Sequence, residues 1–76
     1  MMHSYRVGDL VKFVDACKKF DWYTTDPMCV TYLDPTGVHL IMRYKDGEAE
    51  EHVSFKAVYL YKSVAEQRQD KIKKLI

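Results

Sequence analysis

Two turn signals placed on either side of one alternating run constrain this chain more than any other feature. From Met28 to Val53 it reads M-C-V-T-Y-L, D-P-T-G, V-H-L-I-M-R-Y, K-D-G-E, A-E-E-H-V. Asp34-Pro35-Thr36-Gly37 suits a type I turn: the aspartate can bond the backbone two residues on, the proline presets φ, and the glycine closes the turn. Asp46-Gly47 is a two-residue hairpin signal whose central residues both tolerate φ > 0. Between the turns, Val38, Leu40, Met42 and Tyr44 alternate with His39, Ile41, Arg43 and Lys45. That is the period of a strand with one buried face. The pattern predicts three antiparallel strands, with Val38, Leu40, Met42 and Tyr44 facing the core and His39 on the outer face.

The flanks extend this plan. Gly8-Asp9 is a turn signal, and Leu10–Val14 reads as a strand with Val11 and Phe13 inward. Residues 15–27 form a long polar and aromatic connection, with room for a short helical turn over Val14–Phe20. A single 3₁₀ turn is expected over Ser54–Ala57 and a short closing strand over Val58–Tyr61. With 76 residues, 47% of them apolar and 30% charged, the chain is expected to be one small globular domain. Five short strands with a 3₁₀ turn before the last are expected to curl into a small barrel over residues 1–61.

Residues 62–76 change regime. Ser63-Val64-Ala65-Glu66 is a capping box, in which the serine caps the third amide and the glutamate reaches back. Beyond it Val64, Ala65, Ile72, Leu75 and Ile76 share one face of an amphipathic helix, with the Arg68 stem among them. Asp70 is spaced to pair with Lys73 and Lys74. The Val64 end is expected to dock and the basic end beyond Asp70 to face a partner.

Val7-Gly8-Asp9-Leu10-Val11-Lys12-Phe13 resembles the opening strand of SH3-like small β-barrels, the Tudor and KOW families in particular. Trp22-Tyr23 before the second strand, Val38–Tyr44 as the third, and Lys45-Asp46-Gly47-Glu48 at the next turn are similarly spaced. Val53, Phe55, Val58 and Leu60 match the apolar run that closes such barrels. The resemblance covers residues 5–61, rests on fold signals, and implies a non-enzymatic binding barrel. Two features depart from it. Tudor methyl-readers carry Tyr-Gly-Asn where this chain has Asp46-Gly47-Glu48, and their first cage position falls near Asp15. KOW proteins have a glycine-rich turn between strands one and two, and that loop here has no glycine.

Composition narrows the function classes. A net charge of +1 makes no general case for nucleic acid or an acidic membrane. The charge is uneven, with seven Lys/Arg against nine Asp/Glu in residues 1–61 and five against two in residues 62–76. No apolar leader and no membrane-length run stand in the sequence, and two cysteines suit a reduced, cytoplasmic setting with Cys17 and Cys29 as free, buried thiols. No C-x₂₋₄-C or H-x₃₋₅-H pair joins Cys17, Cys29, His39 and His52, so neither a metal nor a cofactor is expected. No nucleophile and base are placed together, so neither an enzyme nor a small-molecule substrate is expected.

What remains is binding. Phe20, Trp22 and Tyr23 on the long loop, with Lys18 and Lys19 beside them, combine residue types enriched in binding hot spots and in base stacking. Trp22 also has the bulk to plug an open barrel end. Tyr44 can add an aromatic wall, while Asp46 and Glu48, with Glu50 and Glu51, form an acidic edge for a basic partner. Arg68, Lys71, Lys73 and Lys74 make a basic helix end. The expected role is a protein-interaction module, a small regulator or inhibitor docking on a larger complex. The alternative is a nucleic-acid-binding barrel using the aromatic loop and the basic helix.

Overall fold

In a computed structural model, residues 5–75 are described, with side chains as far as residue 73. Expectations placed on Ile76, and on the side chains of Lys74 and Leu75, lie outside the described residues. The elements are β1 (Leu10–Phe13), a 3₁₀ turn (Asp15–Lys19), β2 (Met28–Asp34), β3 (Gly37–Tyr44), β4 (Gly47–Ser54), a second 3₁₀ turn (Phe55–Ala57), β5 (Val58–Lys62) and α1 (Val64–Leu75). All strand pairs are antiparallel, in the order β4-β3-β2-β1-β5. The sheet is open: β4 and β5 are its two outer strands. The protein is therefore mainly β with one C-terminal helix. Among the described residues no helix is long and apolar enough to cross a membrane.

The turn chemistry explains the meander. Asp34 Oδ1 accepts hydrogen bonds from Thr36 N (2.7 Å), Thr36 Oγ1 (2.6 Å) and Gly37 N (2.9 Å). Those bonds fix a tight reversal over Pro35-Thr36 that starts β3 at Gly37. The next reversal differs from expectation by one residue. Lys45 and Asp46 form the turn, Gly47 pairs with Tyr44 as the first residue of β4, and among the described residues no non-glycine residue has positive φ. The left-handed backbone is needed just after the turn, where Gly47 has φ +132°.

Alternation sorts the side chains as the period requires. Val38, Leu40 and Met42 are buried with Val11, Phe13, Cys17, Met28, Val30 and Val58 in one core. Leu40, Val11, Val30 and Val38 are wholly enclosed, and burying each contributes roughly 1.5–3 kcal/mol before entropy is subtracted. Tyr44, expected inward, is 45% exposed because β3 runs past the last buried position, Met42. Cys29, expected buried, is exposed: Met28 and Val30 take the inward positions of β2, so the residue between them faces out. Both thiols are free.

The helix joins the sheet through polar contacts at its first turns. Asp9, only 2% exposed, accepts hydrogen bonds from Arg6 N (2.8 Å) and from Val64 N (3.0 Å), the first amide of α1. Ser63 Oγ takes Glu66 N at 3.1 Å, and Glu66 Oε1 accepts from Ser63 N at 3.4 Å, so the capping box forms. Gln67 Nε2 donates to Gly8 O at 3.0 Å. Gly8 has φ +96°, and a Cβ there would come within 3.1 Å of Val64 Cγ2, so the close approach needs glycine. The apolar stripe docks only at its start. Val64 is half-buried, whereas Ala65 and Ile72 are exposed, Ile72 at 52%. Asp70 reaches back to Lys62 on β5, a partner from outside the helix that i,i+3 and i,i+4 spacing does not reveal.

Two expected outcomes follow. Asp9→Ala orphans two backbone amides and should cost about 2–4 kcal/mol, seen as a lower melting midpoint and a loss of helical circular dichroism. For Lys62, hydrogen bonding to Asp70, then its charge, raises the ammonium above the usual lysine range. A group raised in this way contributes stability that is complete below the unfolded pKa, about 10.4, and is lost as pH rises through the folded value. The gap in melting midpoint between wild type and Lys62→Met should therefore be open at neutral pH and close in strong alkali.

Candidate functional site

The long connection between β1 and β2 is folded back on the core through Cys17. Its thiol donates to Ala57 O at 3.7 Å, and its carbonyl accepts from Phe20 N at 3.0 Å. Phe20 O then accepts from Tyr23 N at 3.2 Å, which turns the chain again. The turns lay Trp22 on buried Phe13, with ring centroids 4.9 Å apart and tilted by 56°. Phe20 also stacks on the indole, at 4.7 Å and 9°. Trp22 is anchored yet stays 38% exposed.

Opposite it the core-facing row of β3 runs out at Tyr44, beside the matching row of β4. Together these elements border an open cavity of about 220 Å³ lined by Phe13, Trp22, Met42, Tyr44, Glu51, His52 and Val53. Burial first, then the charge of Glu51 and a hydrogen bond to it, pushes the Tyr44 hydroxyl above the usual tyrosine range. Aromatic faces with a carboxylate at the rim attract an ammonium or guanidinium group through ring quadrupole and charge together. A larger recess of about 560 Å³, lined by Leu10, Pro27, Cys29, Ile41, Arg43 and Glu48 among others, has no aromatic wall. An Arg43–Glu48 ion pair (3.3 Å) already occupies its charged side.

The structure brings together some of the residues expected from sequence and separates others. Trp22 and Tyr44 share the cavity, and Phe20 buttresses Trp22 from outside. Tyr23 is half-buried against Phe13 (6.3 Å) and belongs to the core margin. Exposed Lys18 pairs with Asp15 at 3.5 Å, and Lys19 lies over the Phe20 ring at 5.3 Å. Asp46 is exposed at the hairpin turn, and Glu48 lines the other recess. Arg68, Lys71 and Lys73 are exposed along α1 and none of them lines the cavity. Phe13 and Met42 are absent from the expected site, and Glu51 is expected in the acidic edge rather than as a wall beside Tyr44. Counting back from the Tyr44↔Gly47 pair would have set Glu51 opposite Leu40, on the core-facing row.

Side chains able to hold a metal gather on the opposite face of the sheet. Among the described residues, one atom each from Asp34, His39 and His52 lie within 4.8 Å of one another. His39 takes the outer position expected for it. Neither cysteine joins this group. No protein-family model, curated protein or solved structure matches the chain.

The cavity electrostatics can be checked directly. Glu51→Gln should lower the pKa of the Tyr44 hydroxyl, read from its ring carbon shifts over an alkaline titration. An unchanged pKa would show that burial alone sets it.

Proposed function

We propose that this protein is a small non-enzymatic binding module that captures a basic side chain of a protein partner. The observation that carries this reading is the cavity in which Trp22, Phe13 and Tyr44 present aromatic surface beside the Glu51 carboxylate. The acidic residues of β4 add long-range attraction for a basic segment, and Phe20 widens the aromatic surface at the entrance. Aromatic anchors dominate the energetics of such contacts. An SH3-like barrel of the Tudor or KOW type is the architecture we assign. Its support is the strand order β4-β3-β2-β1-β5, with a 3₁₀ turn leading into β5. Docking by one inserted side chain suits a small regulator or inhibitor seated on a larger complex.

A second reading, binding of single-stranded nucleic acid, is favoured by the stacked and exposed Phe20–Trp22 pair with Lys18 and Lys19 at hand. Bases stack on such a platform while lysines meet phosphate.

Binding of a short lysine- and arginine-containing peptide, followed by fluorescence anisotropy, tests the first reading. Trp22→Ala should weaken it by about 2 kcal/mol or more, about thirty-fold, and acetylating the peptide lysines should do the same. A peptide indifferent to both changes would refute capture in the cavity. An oligonucleotide bound tightly at low salt, with affinity falling steeply as salt rises, would favour the second reading.

A further inference from the structure

We infer that the outer face of the β2–β3–β4 meander carries a site for one divalent transition-metal ion, held by Asp34, His39 and His52. It uses the opposite row of β3 from the cavity and rests on different chemistry; His52 is the one residue that also borders the cavity.

The ligand atoms are prepared by the turn and the register. All three donors to Asp34 from its own turn fall on Oδ1, which leaves Oδ2 turned toward the imidazoles. Oδ2 lies 2.8 Å from His39 Nε2 and 3.3 Å from His52 Nε2. The histidines are direct cross-strand partners in the β3–β4 ladder, with ring centroids 5.0 Å apart. A tetrahedral zinc ion with ligands at 2.0–2.2 Å needs donor atoms about 3.3 Å apart. The carboxylate-to-imidazole separations, 2.8 and 3.3 Å, lie at or below that value, and the three ligand atoms lie within 4.8 Å of one another, so side-chain rotations can bring them to it. Gly37 allows the close β3–β4 approach beneath the site: a Cβ there would sit 2.1 Å from Val53 O and 2.9 Å from His52 Nε2.

A second layer fits the same purpose. His39 Nδ1 lies 3.6 Å from Glu50 Oε1, and Glu50 Oε2 accepts from Thr31 Oγ1 at 2.8 Å. Without an ion, His39 Nε2–H donates to Asp34 Oδ2 at 2.8 Å and His52 Nε2 meets Thr36 Oγ1 at 3.1 Å. A metal would replace these hydrogen bonds, the His39 proton moving to Nδ1, where Glu50 stands to accept it, an arrangement that recurs in protein metal sites. The bulge between Val30 and Tyr32 makes it possible. It adds one residue to β2, so that Thr31 reaches Glu50 and Tyr32 meets the His39 ring edge-on at 5.2 Å. Two imidazoles and one carboxylate select a borderline ion such as Zn²⁺ over Mg²⁺ or Ca²⁺, which prefer oxygen. Exposed His52 leaves an open side where water completes the shell.

The test is titration of the full chain, carrying Cys29→Ser to remove the exposed thiol, with Zn²⁺ alone. Calorimetry should give one equivalent bound, and the melting midpoint should rise with added Zn²⁺. Long-range nitrogen–proton spectra should show Nε2 of His39 and His52 shifting together, with the His39 proton found on Nδ1 in the zinc-bound form. His39→Ala and His52→Ala should each abolish the binding, and Glu50→Gln should weaken it ten- to a hundred-fold. The inference is overturned if Zn²⁺ leaves either ring unmoved, or if either alanine variant binds it as the parent does. An unchanged affinity in Glu50→Gln would remove Glu50 from the site. The ring spectra decide the matter even if an alanine variant fails to fold.

Discussion

The carboxylate of Asp9 is the contact on which the assembly depends. Almost wholly enclosed, it binds an amide of its own turn with one oxygen and the first amide of α1 with the other. Its backbone is tied as firmly, since Asp9 O accepts from Val30 N (2.9 Å) and Gly8 N donates to Val30 O (2.8 Å). One short segment thus fixes the entry to β1, the middle of β2 and the start of the helix. A buried carboxylate is costly without partners, and an N-terminal helix amide is costly without an acceptor. Each resolves the other, and the negative charge suits the positive end of the helix dipole.

That clamp also accounts for how the open sheet is finished. β5 is paired to β1 on one side and leads directly into α1, which is held by the Lys62–Asp70 contact and by Gln67 on Gly8. β4, the other outer strand, is guarded differently. Glu48, Glu50, Glu51 and His52 are exposed along it, and a row of charge discourages pairing with another chain's strand. In the proposed function the same acidic row would draw a basic partner toward the cavity.

β3 serves two chemistries because successive side chains of a strand point to opposite faces. Its inward row runs from the core to Tyr44 and supplies a wall of the aromatic cavity. Its outward row starts at His39, beside Asp34 and His52. β4 repeats the division, with Glu51 inward at the cavity and Glu50 and His52 outward. A one-residue slip between these strands would exchange the rows and dismantle both constellations. The Asp34 turn, which sets that register from one end, therefore underlies both proposed sites as well as the fold.

Local chemistry determined much of this protein from sequence. The Asp34 turn, the inward row Val38-Leu40-Met42, the placement of Val11 and Phe13, both 3₁₀ turns and the Ser63 capping box all depend on residues a few positions apart. At that range, dihedral preference and hydrogen-bonding reach decide the outcome. The aromatic loop was legible as a binding candidate from composition, as were Trp22 and Tyr44 individually. Only the tertiary structure decided what depends on distant partners. Asp9 meets an amide 55 residues away, Asp70 turns to Lys62, and Cys29 faces out because its neighbours fill the core. The joining of Trp22 to Tyr44 and Glu51, and of Asp34 to His39 and His52, was set by strand register and by one bulge. No local propensity encodes those, since register follows from the combined burial of every inward side chain at once.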